Sequence, residues 1–175
     1  MALAGCAAHA GLPSYTTVPD FTLTDQTGAQ FDSATKLKHN IWIADFIYTM
    51  CPGPCPRMTS QMHQVEKALA GVENLRLVSF TVDPKNDTPA VLNQYAGNFG
   101  AEPGRWFFLT GPEPALQHLS KDVFWLGDVG GRLEHSTRFV LVDQNSKVRG
   151  FYLTEEADAI PRLIEDAKTL ARSPS

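Results

Sequence analysis

The chain has 175 residues, of which 43% are hydrophobic and 19% charged, and its formal net charge is -4. That length suits one domain with a core large enough to fold without a disulfide scaffold or a structural metal. The negative balance argues against a nucleic-acid partner, no run of about 18 apolar residues is present to span a membrane, and three cysteines are too few for a disulfide framework.

The first of those cysteines closes Leu3-Ala4-Gly5-Cys6, which resembles a bacterial lipobox, the signal in which a cysteine takes a lipid and becomes the first mature residue. Only five residues precede Cys6, too few for the charged and apolar regions of a signal peptide, so the sequence is expected to start inside that signal. Residues 7–17 are small and polar and include Gly11 and Pro13, as a flexible leash does. The expected organisation is a tether over 1–17, one domain over 18–171 and a tail over 172–175. The expected location is extracytoplasmic, in a periplasm or on the outer face of a membrane, held by lipid on Cys6.

Phe21-Thr22-Leu23 and Gln30-Phe31 flank Asp25-Gln26-Thr27-Gly28 and predict a hairpin. Residues 41–48, Ile-Trp-Ile-Ala-Asp-Phe-Ile-Tyr, are almost continuously apolar and suit a central strand buried on both faces. Met58, Met62, Val65 and Leu69 then fall at helical spacing and predict a helix over 56–70. A strand follows over 75–82. Thr88 can cap a helix with Pro89 in its first turn, running to about Phe99. Residues 106–109 form the next strand and 114–121 a short helix. Strands over 139–142 and 148–152 make a hairpin across Asp143-Gln144-Asn145-Ser146, and a helix over 155–171 places Ile160, Leu163, Ile164 and Ala167 on one face. Alternating strands and helices that end in a hairpin predict an α/β thioredoxin-like fold. Its central mixed sheet is flanked by helices and extended by the N-terminal hairpin.

The loop after the first long strand reads Cys51-Pro52-Gly53-Pro54-Cys55-Pro56. Two thiols four residues apart at a strand-to-helix junction can converge on one point. Pro56 suits the first helical position, which puts Cys55 at the helix N-terminus, where the dipole favours a thiolate. Three prolines and a glycine in six residues limit the freedom lost when both sulfurs meet a partner. That partner is either the other sulfur or a soft metal, since thiolates select Cu(I) and Zn(II). A closed zinc site needs four ligands and has no second cysteine pair here.

A third ligand is therefore sought among five histidines. His9 falls in the tether, His39 in a loop, and His63 and His118 on helix faces turned to water. His135, in Glu134-His135-Ser136-Thr137, precedes the buried strand at 139–142. In a thioredoxin layout that loop faces the cysteines and carries a proline, whereas this chain has no proline between Pro114 and Pro161. Met58 lies on a core stripe, while Met50 is open between packing and a thioether ligand. Asp45 interrupts the buried strand and needs a partner or a raised pKa. It could accept a proton from Cys55, bond a backbone group, or meet water at the sheet end.

Tyr48-Thr49-Met50-Cys51-Pro52-Gly53-Pro54-Cys55-Pro56 resembles the copper-site loop of the Sco/SenC family. Three further segments resemble that family in the same order: Val82-Asp83-Pro84-Lys85-Asn86-Asp87-Thr88-Pro89, Trp106-Phe107-Phe108-Leu109-Thr110-Gly111, and His135-Ser136-Thr137 with Leu141-Val142-Asp143. Asn86 stands where the family usually carries an arginine. The resemblance implies Cu(I) or Cu(II) held by Cys51, Cys55 and His135, with Asp83 either tuning the site or only forming its turn. It implies a metallochaperone that helps to assemble the cytochrome c oxidase copper centre, with subunit II as acceptor, acting as a membrane-tethered monomer. The other reading is a thiol-disulfide oxidoreductase in which Cys51 and Cys55 are the catalytic pair. A peroxiredoxin is a weaker third, because Thr49 stands two residues before Cys51 and not three.

Overall fold

A computed structural model of the chain describes residues 11–126 and 136–172. The expected hairpin is present as β1 (Thr22–Asp25) and β2 (Gln30–Asp32). Its turn is closed by the Gly28 N–H donating to the Asp25 carbonyl at 2.9 Å, with Gly28 at φ 85°, a region that glycine enters without cost. Asp32 then caps the short helix α1 (Ser33–Lys36) by accepting from the Ala34 N–H.

The three long parallel strands follow as β3 (Ile41–Ile47), β4 (Leu75–Thr81) and β5 (Trp106–Thr110). They are linked by α2 (Cys55–Ala68) and α3 (Pro89–Asn98). Thr88 caps α3 as expected, accepting from the Val91 N–H. The chain then passes through α4 (Glu113–Gln117), and later through β6 (Arg138–Val142), β7 (Val148–Leu153) and α5 (Ala159–Arg172). Sheet order is β2-β1-β5-β4-β3-β6-β7. The hairpin adds to β5, and β6 runs antiparallel to β3.

All seven residues of β3 are buried. Strand alternation sends Ile41, Ile43 and Ile47 to the face covered by α2, α3 and α5, and Trp42, Ala44 and Phe46 to the face covered by α1 and α4. The second face is aromatic. Phe46 stacks on Phe80 with centroids 4.9 Å apart, and Phe124 meets both rings.

Two helices differ from the sequence reading. The one expected over 114–121 ends as α-helix at Gln117 and widens into a π-helical turn over His118–Val123, which buries Leu119, Ser120 and Val123 together. The last helix starts at Ala159 and not near 155, because Pro161 gives no N–H and fits only a first turn. The end of the segment read as a tether lies along β7: Arg149 donates to the carbonyls of Leu12 and Pro13, and the Tyr15 N–H donates to the Val148 carbonyl.

Truncating Phe80→Ala empties a ring-lined position of the second core. The expected loss is about 3–5 kcal/mol in urea unfolding, and a loss under about 1 kcal/mol would mean that the aromatic layer does not hold the sheet.

Candidate metal and dithiol site

The site begins where β3 runs out. The Val82 N–H donates to the Ile47 carbonyl at 2.8 Å, so β3 and β4 end level. A turn over Tyr48-Thr49-Met50-Cys51 follows, closed by the Cys51 N–H donating to the Tyr48 carbonyl at 3.3 Å. Cys55 opens α2, with Pro56 in its first turn. Both cysteines are buried thiols, and neither is in a disulfide.

The two sulfurs are hydrogen-bonded to each other and are not equivalent. Burial pushes the Cys51 thiol up, but four hydrogen bonds outweigh it and hold the thiol below its ordinary range. They come from the Cys55 thiol, the backbone of Cys55 and of Gly53, and the Tyr48 side chain. Burial pushes Cys55 far up, and the bond it gives to Cys51 adds to that, while a backbone bond at Tyr48 offsets only part. The charges of Cys51 and Asp45 raise it further. The sequence reading placed the favoured thiolate at Cys55 on the strength of the helix terminus. In the structure burial of the Cys55 sulfur opposes that expectation, and Cys51 is the thiol that collects the donors.

Tyr48 is held up by burial, by its bond to Cys51 and by the charges of both cysteines and Asp83. Asp83 itself sits in the turn after β4. Its carboxylate accepts from Asn86 Nδ2 at 2.8 Å, and its backbone carbonyl accepts from the N–H groups of Asn86 and Asp87. Asn86 therefore closes this turn locally where an arginine could reach outward. Met58 is buried in the core, as expected, and Met50 is 77% exposed on the cysteine turn.

His135 and Cys6 lie outside the described residues, as does His9. Among the described residues no group of three or more histidine, cysteine, aspartate or glutamate side chains gathers to hold a metal. His118 is exposed and pairs with Asp122 at 2.9 Å, and His63 is half-buried, 3.4 Å from Glu66. His39 is exposed. The pair Cys51 and Cys55 thus supplies two soft donors on one loop, a set that fits copper and needs completion from elsewhere.

Asp45 is fully buried on the α2 face of β3, and among the described residues neither carboxylate oxygen has a hydrogen-bond partner. It stands in register with Ser79 of β4, whose hydroxyl accepts from Trp106 Nε1 at 3.0 Å. Burial raises the carboxyl from 3.8 to about 7, and the nearby Ser79 hydroxyl, outside hydrogen-bonding geometry, offsets little of that.

Two residues of the site were not singled out by the sequence reading. Tyr48 faces Cys51, and Asp87 is buried and accepts from Thr49 and Thr81. The Asp-Thr-Pro turn contained Asp87, but nothing in its spacing says that it points inward.

With this geometry in hand, comparison with known proteins is decisive. The SCO1/SenC family model matches residues 10–172. The chain belongs to the SCO1/SenC family. A SCO1/SenC family lipoprotein from Bacillus anthracis superposes with a TM-score of 0.84 at 31% identity, covering 93% of this chain and all of that one. BsSco, a member of the Sco family of cytochrome c oxidase assembly proteins in which a disulfide switch was identified, superposes at 0.81 with 31% identity, over 93% of this chain and 97% of that one. Bradyrhizobium japonicum ScoI, solved with copper bound, shares the fold at a TM-score of 0.72 and 21% identity, over 89% of this chain and 99% of that one. These likenesses bear out the thioredoxin-like layout and the family read from the four sequence segments. No helix among the described residues is long and apolar enough to cross a membrane.

In the unfolded chain Asp45 loses its proton near 3.8, and in the folded chain only near 7. Its burial therefore costs stability increasingly as pH rises between those values, reaching roughly 4 kcal/mol above pH 7. Asp45→Asn is expected to stabilise the protein by about that amount at pH 8, with the gain shrinking towards zero near pH 4 in denaturant titrations. A gain that does not change with pH contradicts this.

Proposed function

We propose that this Sco-family chain is a copper-binding metallochaperone for assembly of the cytochrome c oxidase copper centre. It takes Cu(I) or Cu(II) as cargo on Cys51, Cys55 and His135 and delivers it to an acceptor such as subunit II. The observation that carries this reading is the pair of thiols at the end of β3, hydrogen-bonded to each other and not joined in a disulfide. Thiolates favour Cu(I), and an imidazole extends the set to Cu(II). The copper-bound relative of the same fold supports the choice of metal.

On this reading His135 comes from the segment just before β6, which runs antiparallel to β3 and so starts at the end of the sheet where the cysteines lie. The split in acidity sets the order of events: Cys51 is the sulfur ready to bind, and Cys55 gives up its proton as the metal arrives. Lipid on Cys6 holds a monomeric domain over 18–171 on an extracytoplasmic membrane face, and the lipoprotein relative supports that placement.

The same split supports a second activity, reduction of a partner's disulfide. The Cys51 thiolate attacks one sulfur of the partner's bond and forms a mixed disulfide, releasing the partner's other sulfur as a thiolate. Cys55 then loses its proton and attacks Cys51. The partner leaves with two thiols, and Cys51 and Cys55 are left as a disulfide, so one pair is reduced as the other is oxidised. The disulfide switch of BsSco supports this reading.

Replacing His135→Ala separates the two. Competition titration with a Cu(I) or Cu(II) chelator is expected to show affinity falling on the order of a hundredfold, while thiol-disulfide exchange stays within about twofold of the parent rate. Unchanged copper affinity would sink the three-ligand site.

A further inference from the structure

The turn that presents Cys51 is exposed at Met50, yet one of its corners is fixed. The Thr49 N–H lies 3.3 and 3.2 Å from the two carboxylate oxygens of Asp87, and Thr49 Oγ1 donates to Asp87 Oδ1 at 2.5 Å. Thr81 Oγ1 donates to Asp87 Oδ2 at 2.6 Å, and the Asp87 N–H donates to the Asp83 carbonyl at 2.9 Å. Asp87 is completely buried. A carboxylate removed from water and accepting from three donors is held firmly, because moving any one of them strands charge. Thr49 is the second residue of the turn closed by Cys51 and Tyr48, so whatever fixes Thr49 also fixes where the next two residues point.

We infer that Asp87 is the positioning residue of the Cys51 turn, anchoring Thr49 and with it the direction in which Cys51 is presented. The inference deepens the proposed function, in that the sulfur so placed is the one read there as binding first. Asp87 touches neither cysteine in any hydrogen bond described. It acts through Thr49, across the gap between the ends of β3 and β4. The turn after β4 is thereby tied to the cysteines. Asp83 and Asn86 fold it, and Asp87 is the part of it that reaches the site.

The test uses alkylation of Cys51 by iodoacetamide, followed by mass spectrometry as a function of pH. It needs no copper, so its outcome stands apart from whether the site takes the metal. Thr49→Val removes the hydroxyl that reaches Asp87 from the turn. Thr81→Val removes a hydroxyl that reaches the same carboxylate from the sheet. Both are expected to lower the thermal midpoint. Thr49→Val and Asp87→Asn are expected to slow Cys51 alkylation at neutral pH about threefold or more and to move its pH profile upward. Thr81→Val is expected to stay within about twofold, and Thr49→Ser, which keeps the hydroxyl, to retain the parent profile. Equal effects of Thr49→Val and Thr81→Val, or an unchanged profile in Thr49→Val, would overturn the assignment. If Asp87→Asn does not fold, the two threonine variants decide it.

Discussion

The chemistry of this chain rests on the confinement of β3. The strand is buried on both faces and hydrogen-bonded along both edges, to β4 in parallel and to β6 antiparallel. A strand so enclosed can neither slip in register nor tilt, because a one-residue slip would put every apolar side chain on the wrong face. Its end is therefore a fixed point. The cysteine turn leaves from that point, and the prolines on either side of Cys55 send the chain straight into α2. Sulfur placement is thus inherited from the core.

A second consequence of burial is electrical. The same enclosure that fixes Cys55 strips it of water and drives its thiol upward, while Cys51, one turn earlier, collects donors and is driven down. One loop thereby holds two thiols of unlike acidity, Cys51 lowered and Cys55 raised. Asp45, on the α2 face of β3, adds its charge to the groups that raise Cys55; it has no hydrogen-bond partner among the described residues and is itself raised to about 7. An aspartate there lowers stability at neutral pH, and nothing in packing calls for it.

Much of this was legible in the sequence because the relevant signals are local or periodic. The unbroken apolar run of β3 announced a strand enclosed on both sides, the Thr88-Pro89 pair announced the start of α3, and the cysteine spacing announced the site. What was not legible depends on how buried area and charge compete in three dimensions. The dipole at α2 suggested a thiolate at Cys55, and the depth of burial that opposes it is not visible in sequence spacing. Pro161 set the start of α5, but the acidic residues before it read equally well as a first turn. Asp87 was not singled out, since sequence spacing does not say which of two aspartates in a tight turn faces inward. His135 stands on the resemblance of its segment to the family's.

The central claim is that copper is held by sulfur from both cysteines at once. It is tested most directly by the visible absorption spectrum of the Cu(II)-loaded full chain, beside chains carrying Cys51→Ser or Cys55→Ser. Sulfur-to-copper charge-transfer bands are expected in the parent at one copper per chain, and their loss in either variant. Bands that survive removal of either cysteine, or a parent spectrum without them, would contradict it.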